Sequence, residues 1–125
     1  MVDLWLDPLE VNDKIELQPI FFQQSKAIIL ESSYSELEHL ANIMQENPNL
    51  EIRIEGHTDN VGKPEDLLRL SEDRANAIRD FLTKKGVDGR RVQTIGYGPK
   101  FPINDNSTDE LRSLNRRVEV RITKI

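Results

Sequence analysis

The sequence predicts an α+β fold, a two-layer sandwich in which helices pack on one face of a mixed four-stranded sheet, in the order β-α-β-α-β-β. Three observations carry this expectation. Leu50, Ile52 and Ile54 alternate with Glu51, Arg53 and Glu55, and Val118, Val120 and Ile122 alternate with Arg117, Glu119, Arg121 and Thr123. Alternation of period two marks strands with one buried and one solvated face. Between these strands, Leu37, Leu40, Ala41 and Met44, and then Ala75, Ile78, Phe81 and Leu82, recur at helical spacing. Two amphipathic helices are what one apolar sheet face needs to be covered, whereas a parallel sheet buried on both faces would need continuously apolar strands.

Residues 1–14 read as a lead-in, with Pro8 and Asn12-Asp13 as breakers, and residues 15–125 as the domain proper. Trp5 is either part of a linker or a cap on the core. Ile15 to Phe22 reads as the first strand, with Pro19 placing it at an edge or a bulge. Ser33 with Glu36 fits a capping box that starts the first helix, and Asn47-Pro48 ends it. The strand from Leu50 leads into a loop expected to run from His57 to about Arg69. Ser71 is the expected N-cap of the second helix, with Glu72 and Asp73 at the positive end of its dipole. Lys84 and Lys85 fill the last turn, and Gly86 is the expected left-handed residue after it. Val92 to Gly98 reads as the third strand, with Gly96 and Gly98 permitting close backbone approach. A loop holding Pro99, Pro102 and Asn104-Asp105-Asn106 precedes a short helix from Asp109 to Leu114 and the final strand.

Composition narrows the function. A chain of 125 residues suits one domain with a core that needs no disulfide or metal. Its formal charge of −5 argues against general binding to nucleic acid or anionic membrane. The absence of cysteine excludes thiol chemistry. No apolar run approaches the roughly 20 residues of a membrane span. The start, Met1 to Asp7, lacks a basic region followed by a long apolar one, so it is not expected to be a signal peptide. The expectation is a cytosolic protein or a module of a longer exported chain.

The chemistry concentrates in Gly56-His57-Thr58-Asp59-Asn60-Val61-Gly62, followed fifteen residues after its aspartate (74 − 59) by Arg74 in Leu70-Ser71-Glu72-Asp73-Arg74-Ala75. This puts a carboxylate at a strand end and a guanidinium in the expected first turn of the next helix. Such a pair can clamp a zwitterion, with an amine on Asp59 and a carboxylate on Arg74, or it can be a plain salt bridge. His57 with Asp59 offers too few ligands for a metal, and His39 lies on the polar side of the first helix. No serine sits in a nucleophile elbow, and Gly96-Tyr97-Gly98 leads into Pro99 rather than a helix, so no enzyme activity, metal or cofactor is expected. Among Arg112, Arg116, Arg117 and Arg121, strand alternation puts Arg117 and Arg121 on a solvated face. Arg116 precedes the strand and can reach the same sheet end as Asp59 as a second cation.

These residues, taken together, resemble the OmpA C-terminal-like family of OmpA/MotB/Pal-type peptidoglycan-binding domains. The resemblance runs from about Ile15 to Ile125. It covers Phe21-Phe22, the Gly56–Gly62 stretch, Leu70-Ser71-x-x-Arg74-Ala75-x-x-Ile78-x-x-x-Leu82, Gly86-Val87, Gly96-Tyr97-Gly98, Pro102-Ile103-x-x-Asn106 and Asn115-Arg116-Arg117-Val118-Glu119. It implies non-covalent binding of the cell-wall stem peptide at meso-diaminopimelate, whose side-chain end carries an ammonium and a carboxylate. By position Asp59 takes the ammonium and Arg74 the carboxylate in a fork, while Thr58, Val61 and Arg116 line the pocket. It also implies a location at the periplasmic face of the outer membrane and a membrane-associated parent protein that the domain anchors to the wall. The chain departs from the family pattern at Leu67, where Asn is usual, at Gln23, where Asp is common, and at Leu111, where Gly is frequent. The first removes a polar side chain near the ligand and the second a carboxylate at the pocket rim. The alternative expectation is the same fold acting as a protein-interaction domain without wall binding.

Overall fold

The computed structural model describes residues 10–125. Its elements are β1 (Lys14–Ile15), α1 (Tyr34–Glu46), β2 (Glu51–His57), α2 (Pro64–Lys84), β3 (Val92–Gly98), α3 (Asp109–Asn115) and β4 (Val118–Lys124). The sheet order is β1-β4-β2-β3. β4 runs antiparallel to both β1 and β2, and β3 runs parallel to β2. A parallel pair needs a crossover, which α2 supplies. The expected mixed four-stranded sheet with helices on one face is therefore what forms.

The core lies between that face and α1 and α2. Leu37, Leu40 and Met44 from α1, Ile78 and Leu82 from α2, and Ile52, Ile54 and Ile122 from the sheet are all fully buried. Each such side chain stabilises the fold by about 1.5–3 kcal/mol relative to exposure. α2 ends as its sequence predicts. Gly86 has φ +100°, Val87 N–H donates to Leu82 O and Gly86 N–H to Thr83 O at 3.1 Å each, a Schellman closure.

α2 lies unusually close to the sheet at one place. Gly56 and Gly96 sit side by side on β2 and β3. A Cβ on Gly56 would stand 2.3 Å from Ser71 O, and one on Gly96 would stand 2.4 Å from Glu72 N. Only glycine permits this approach, and it sets the height of α2 above the strand that carries Asp59.

Three expectations about element boundaries are corrected. The first strand does not span Ile15 to Phe22, because only Lys14–Ile15 pairs with β4. Pro19 has no N–H to offer a ladder. The donors of Gln18 and Phe21 go instead to the Glu36 carboxylate and Ser33 Oγ, each at 2.8 Å. The same two bonds explain why Ser33 and Glu36 form no capping box: both side chains reach across to the 18–21 segment. Lastly, Ser71 does not start α2, which begins two turns earlier at Pro64 with Glu65 and Asp66 in its first turn. Proline at the first helical position and acids beside it suit a helix start. Arg74 is therefore deep inside α2 rather than in its first turn. The lead-in residues 1–9, with Trp5, lie outside the described residues.

The outer face of the sheet is polar, as the alternation implies, yet two of its members are buried. Glu55 accepts from Arg53 Nη2 at 2.9 Å and Arg121 Nε at 3.1 Å. His57 packs beside Tyr97 with ring centroids 5.4 Å apart. Long side chains crossing between strands shield groups that a strand pattern alone assigns to solvent.

Candidate functional site

Thr58 and Asp59 leave the C-terminal end of β2 beside the end of its parallel neighbour, where Thr58 N–H donates to Gly98 O at 3.0 Å. Both side chains are buried. Thr58 Oγ1 donates to Asp59 O at 2.8 Å, and Asp59 Oδ1 accepts from Val61 N–H at 3.0 Å. The turn is thus tied to itself, and the carboxylate is aimed rather than free to rotate. Val61 is 63% exposed and forms a rim.

The second oxygen, Asp59 Oδ2, accepts from Arg116 Nη1 at 2.7 Å. Arg116 follows α3 directly, with its N–H on Arg112 O. A polar knot holds that junction. The fully buried Asn115 accepts from Ile103 N–H at 2.7 Å and donates to Asn104 Oδ1 and Asn106 Oδ1 at 2.8 Å each.

Arg74 reaches the cleft from α2. Its Nε donates to Lys26 O at 3.0 Å and its Nη2 to Gln23 O at 3.3 Å. Its guanidinium carbon lies 4.9 Å from the centre of the Phe22 ring, within cation–π range. Burial first, and then the charge of Arg116, pull the Arg74 guanidinium down from its ordinary value, with Asp59 opposing. The two edge donors are committed to backbone, so a ligand carboxylate meets the Nη1 side of the guanidinium.

Asp59, Thr58, Val61, Arg74 and Arg116 all line one cleft of about 640 Å³. The structure brings all five predicted residues together. It does not pair Asp59 with Arg74; the salt bridge of Asp59 is to Arg116. The cleft also holds residues the sequence did not single out for this site, among them Phe22, Asp109 and Arg112. Arg112 was legible as a cation one helical turn before Arg116, and i, i+4 spacing puts both on one face. Asp109 is held by Arg112, which also donates to Asn106 O at 3.1 Å. Of the departures from the resemblance, Leu67 is in the cleft wall, whereas Gln23 acts through its carbonyl on Arg74.

Comparison with known proteins gives the family. The OmpA family model matches residues 21–116. The chain belongs to the OmpA family. The family comprises OmpA/MotB/Pal-like peptidoglycan-binding domains and is not one of enzymes. Over 102 residues the chain is 44% identical to outer membrane porin F of Pseudomonas aeruginosa, covering 81% of this chain and 29% of that protein. It is 36% identical over 102 residues to the peptidoglycan-binding protein ArfA of Mycobacterium tuberculosis, covering 82% of this chain and 31% of that one. The chain thus spans about a third of the length of these relatives. The C-terminal domain of Helicobacter pylori MotB superposes with a TM-score of 0.78 at 25% identity, over 86% of this chain and 85% of that one. The outer-membrane and periplasmic setting of such OmpA-family relatives agrees with the expected location. No helix among the described residues is long and apolar enough to cross a membrane.

One further cluster on the outer sheet face concerns metal binding. Glu55, His57 and Glu119 have ligand atoms within 4.8 Å of one another. Arg53 and Arg121 already hold Glu55, while Arg117 and Lys14 hold Glu119. Four cations against two carboxylates repel a dication.

Proposed function

We propose that this domain binds peptidoglycan non-covalently through the diaminopimelate of the stem peptide and so anchors a larger envelope protein to the wall. The observation that carries the reading is a buried carboxylate and a clamped guanidinium lining one cleft, not paired with each other. Asp59 takes the ammonium of the side-chain stereocentre, and Arg74 takes its carboxylate. Thr58 holds the turn, Val61 covers the ligand's methylenes, and Arg116 supplies a second cation. Leu67 gives the wall an apolar surface suited to the same methylenes.

Charge-assisted hydrogen bonds contribute about 1.5–3 kcal/mol each. Two or three of them, less the cost of association, correspond to affinities on the order of micromolar to millimolar. Weak single sites suffice on a repeating polymer engaged by many copies. The test is a titration with a stem-peptide fragment followed by backbone amide NMR. Saturable shifts at Thr58, Asp59, Val61 and Arg74, lost in Arg74→Ala, are expected. Absent shifts, with wall sacculi also failing to retain the domain, would turn the reading to a protein-interaction domain of the same fold.

A further inference from the structure

We infer that Arg116 stands in for the ligand's ammonium in the free domain, and that binding releases it from Asp59 to take a second carboxylate of the ligand. The inference rests on the wall-binding reading above and names the ligand class more narrowly: a peptide carrying a zwitterionic end plus at least one further carboxylate.

The two guanidiniums that face Asp59 are built differently. Arg74 is anchored by two bonds to backbone carbonyls and by the Phe22 ring. Arg116 is held through its side chain by one bond, from Nη1 to Asp59 Oδ2. Its Nε and Nη2 make no hydrogen bond among the described residues. In that pair the Arg116 side chain is 44% exposed and the Asp59 side chain 9%. The cation half is therefore open to water while the anion half is not. An arriving ammonium offers Asp59 the same charge and donor type, and a half-exposed guanidinium loses little by leaving, because water rehydrates it. The junction behind it stays put, since Asn115 fixes the end of α3 through its buried knot. Release thus moves a side chain and not the backbone.

The charge of the cleft points the same way. Arg74, Arg112, Arg116 and Arg117 line it with Asp59 and Asp109; Arg117 is already matched by Glu119, which leaves three cations against two carboxylates. A zwitterion leaves that excess positive charge unmatched. One more carboxylate on the ligand neutralises it, and Arg116, freed from Asp59 with its donor edge open, is the group placed to receive it.

The test is calorimetric titration of the whole chain with two probes. One is the tripeptide L-alanyl-γ-D-glutamyl-meso-diaminopimelate with every carboxylate free. The other is its twin, amidated at every carboxylate except the one beside the free amine. The unaltered protein should bind the free probe about tenfold or more tighter than its twin. Arg116→Gln should bring the ratio to about one, weakening the free probe while leaving the amidated probe as tight or tighter, because the competitor for Asp59 is gone. Arg116→Lys, which keeps the charge, should give an intermediate ratio, and serves alone if the glutamine variant melts early. A merely structural role for Arg116 would weaken both probes alike. An unchanged ratio in Arg116→Gln, or no preference in the unaltered protein, overturns the exchange and leaves wall binding standing. Failure of the unaltered protein to bind either probe, or binding that survives Asp59→Asn, overturns the wall reading and this inference with it.

Discussion

Gly56→Ala tests the link between packing and site geometry. The added Cβ would stand 2.3 Å from Ser71 O, 3.0 Å from Ser71 C and 3.3 Å from its Cα, where ordinary van der Waals contact begins at 3.4 Å. The obstacle is helix backbone, so no rotamer change relieves it. Either α2 lifts from β2 by about 1 Å or the strand yields by as much, and overpacking of this kind costs about 1–3 kcal/mol. Alanine recovers about 0.4–1 kcal/mol by restricting the unfolded chain, so the net loss is about 1–2 kcal/mol. Because urea slopes are about 1–3 kcal/mol/M, the unfolding midpoint should fall by about 0.3–2 M at unchanged slope. The shift also moves Arg74 relative to Asp59, so affinity for the stem-peptide fragment should fall even where the variant is fully folded. A midpoint equal to or above that of the parent protein would show that Gly56 is not the contact that sets the helix height, and the account of how the cleft is spaced would fail.

Three further outcomes follow from the same structure. Ser71 Oγ accepts from Gly98 N–H at 3.0 Å and donates to Leu68 O at 2.8 Å; Ser71→Ala strands a buried N–H and should cost about 1–3 kcal/mol in urea unfolding, and a neutral result would refute that bond's importance. Arg91 Nε donates to Leu50 O at 3.0 Å and its Nη2 to Met44 O and Asn47 O at 2.7 Å each; Arg91→Ala should cost at least about 2 kcal/mol, and Arg91→Lys should recover only part, since the three ammonium donors share one nitrogen and cannot span acceptors set for two. Burial, reinforced by Arg117 and opposed by Glu119 and Glu55, lowers the His57 pKa from 6.5 to about 4. As pH falls through 6.5 the unfolded chain takes a proton that the native state refuses, so stability drops until about pH 4, where both states are protonated. The full effect is roughly 3 kcal/mol; His57→Gln should flatten this slope between pH 7 and 4.5, and parallel slopes would exclude His57 as its cause.

Periodicity sufficed where an element's own residues decide its state. The alternation at 50–55 and 118–123 marked β2 and β4, and the stripes at 37–44 and 75–82 marked α1 and α2, because burying one face is a property of the local pattern. Gly86 closed α2 as expected for the same local reason. The candidate site was legible as residue types: Asp59, Arg74, Thr58, Val61 and Arg116 all reach the cleft.

What local pattern could not settle were groups whose partners lie far along the chain. Ser33, Glu36 and Ser71 look like helix caps, yet each spends its side chain on a distant strand or segment, because an unpaired backbone N–H there needs it more. Pro19 removed a donor from the first segment, and the sheet accepted only Lys14–Ile15. Asp59 faced two possible cations in sequence, and tertiary structure chose Arg116, because Asn115 locks the end of α3 to the 103–106 loop while backbone carbonyls hold Arg74 back. By itself the sequence determined the elements and the charges brought to the cleft. The tertiary structure decided which charge meets which, since pairing depends on the distances that packing sets and not on spacing along the chain.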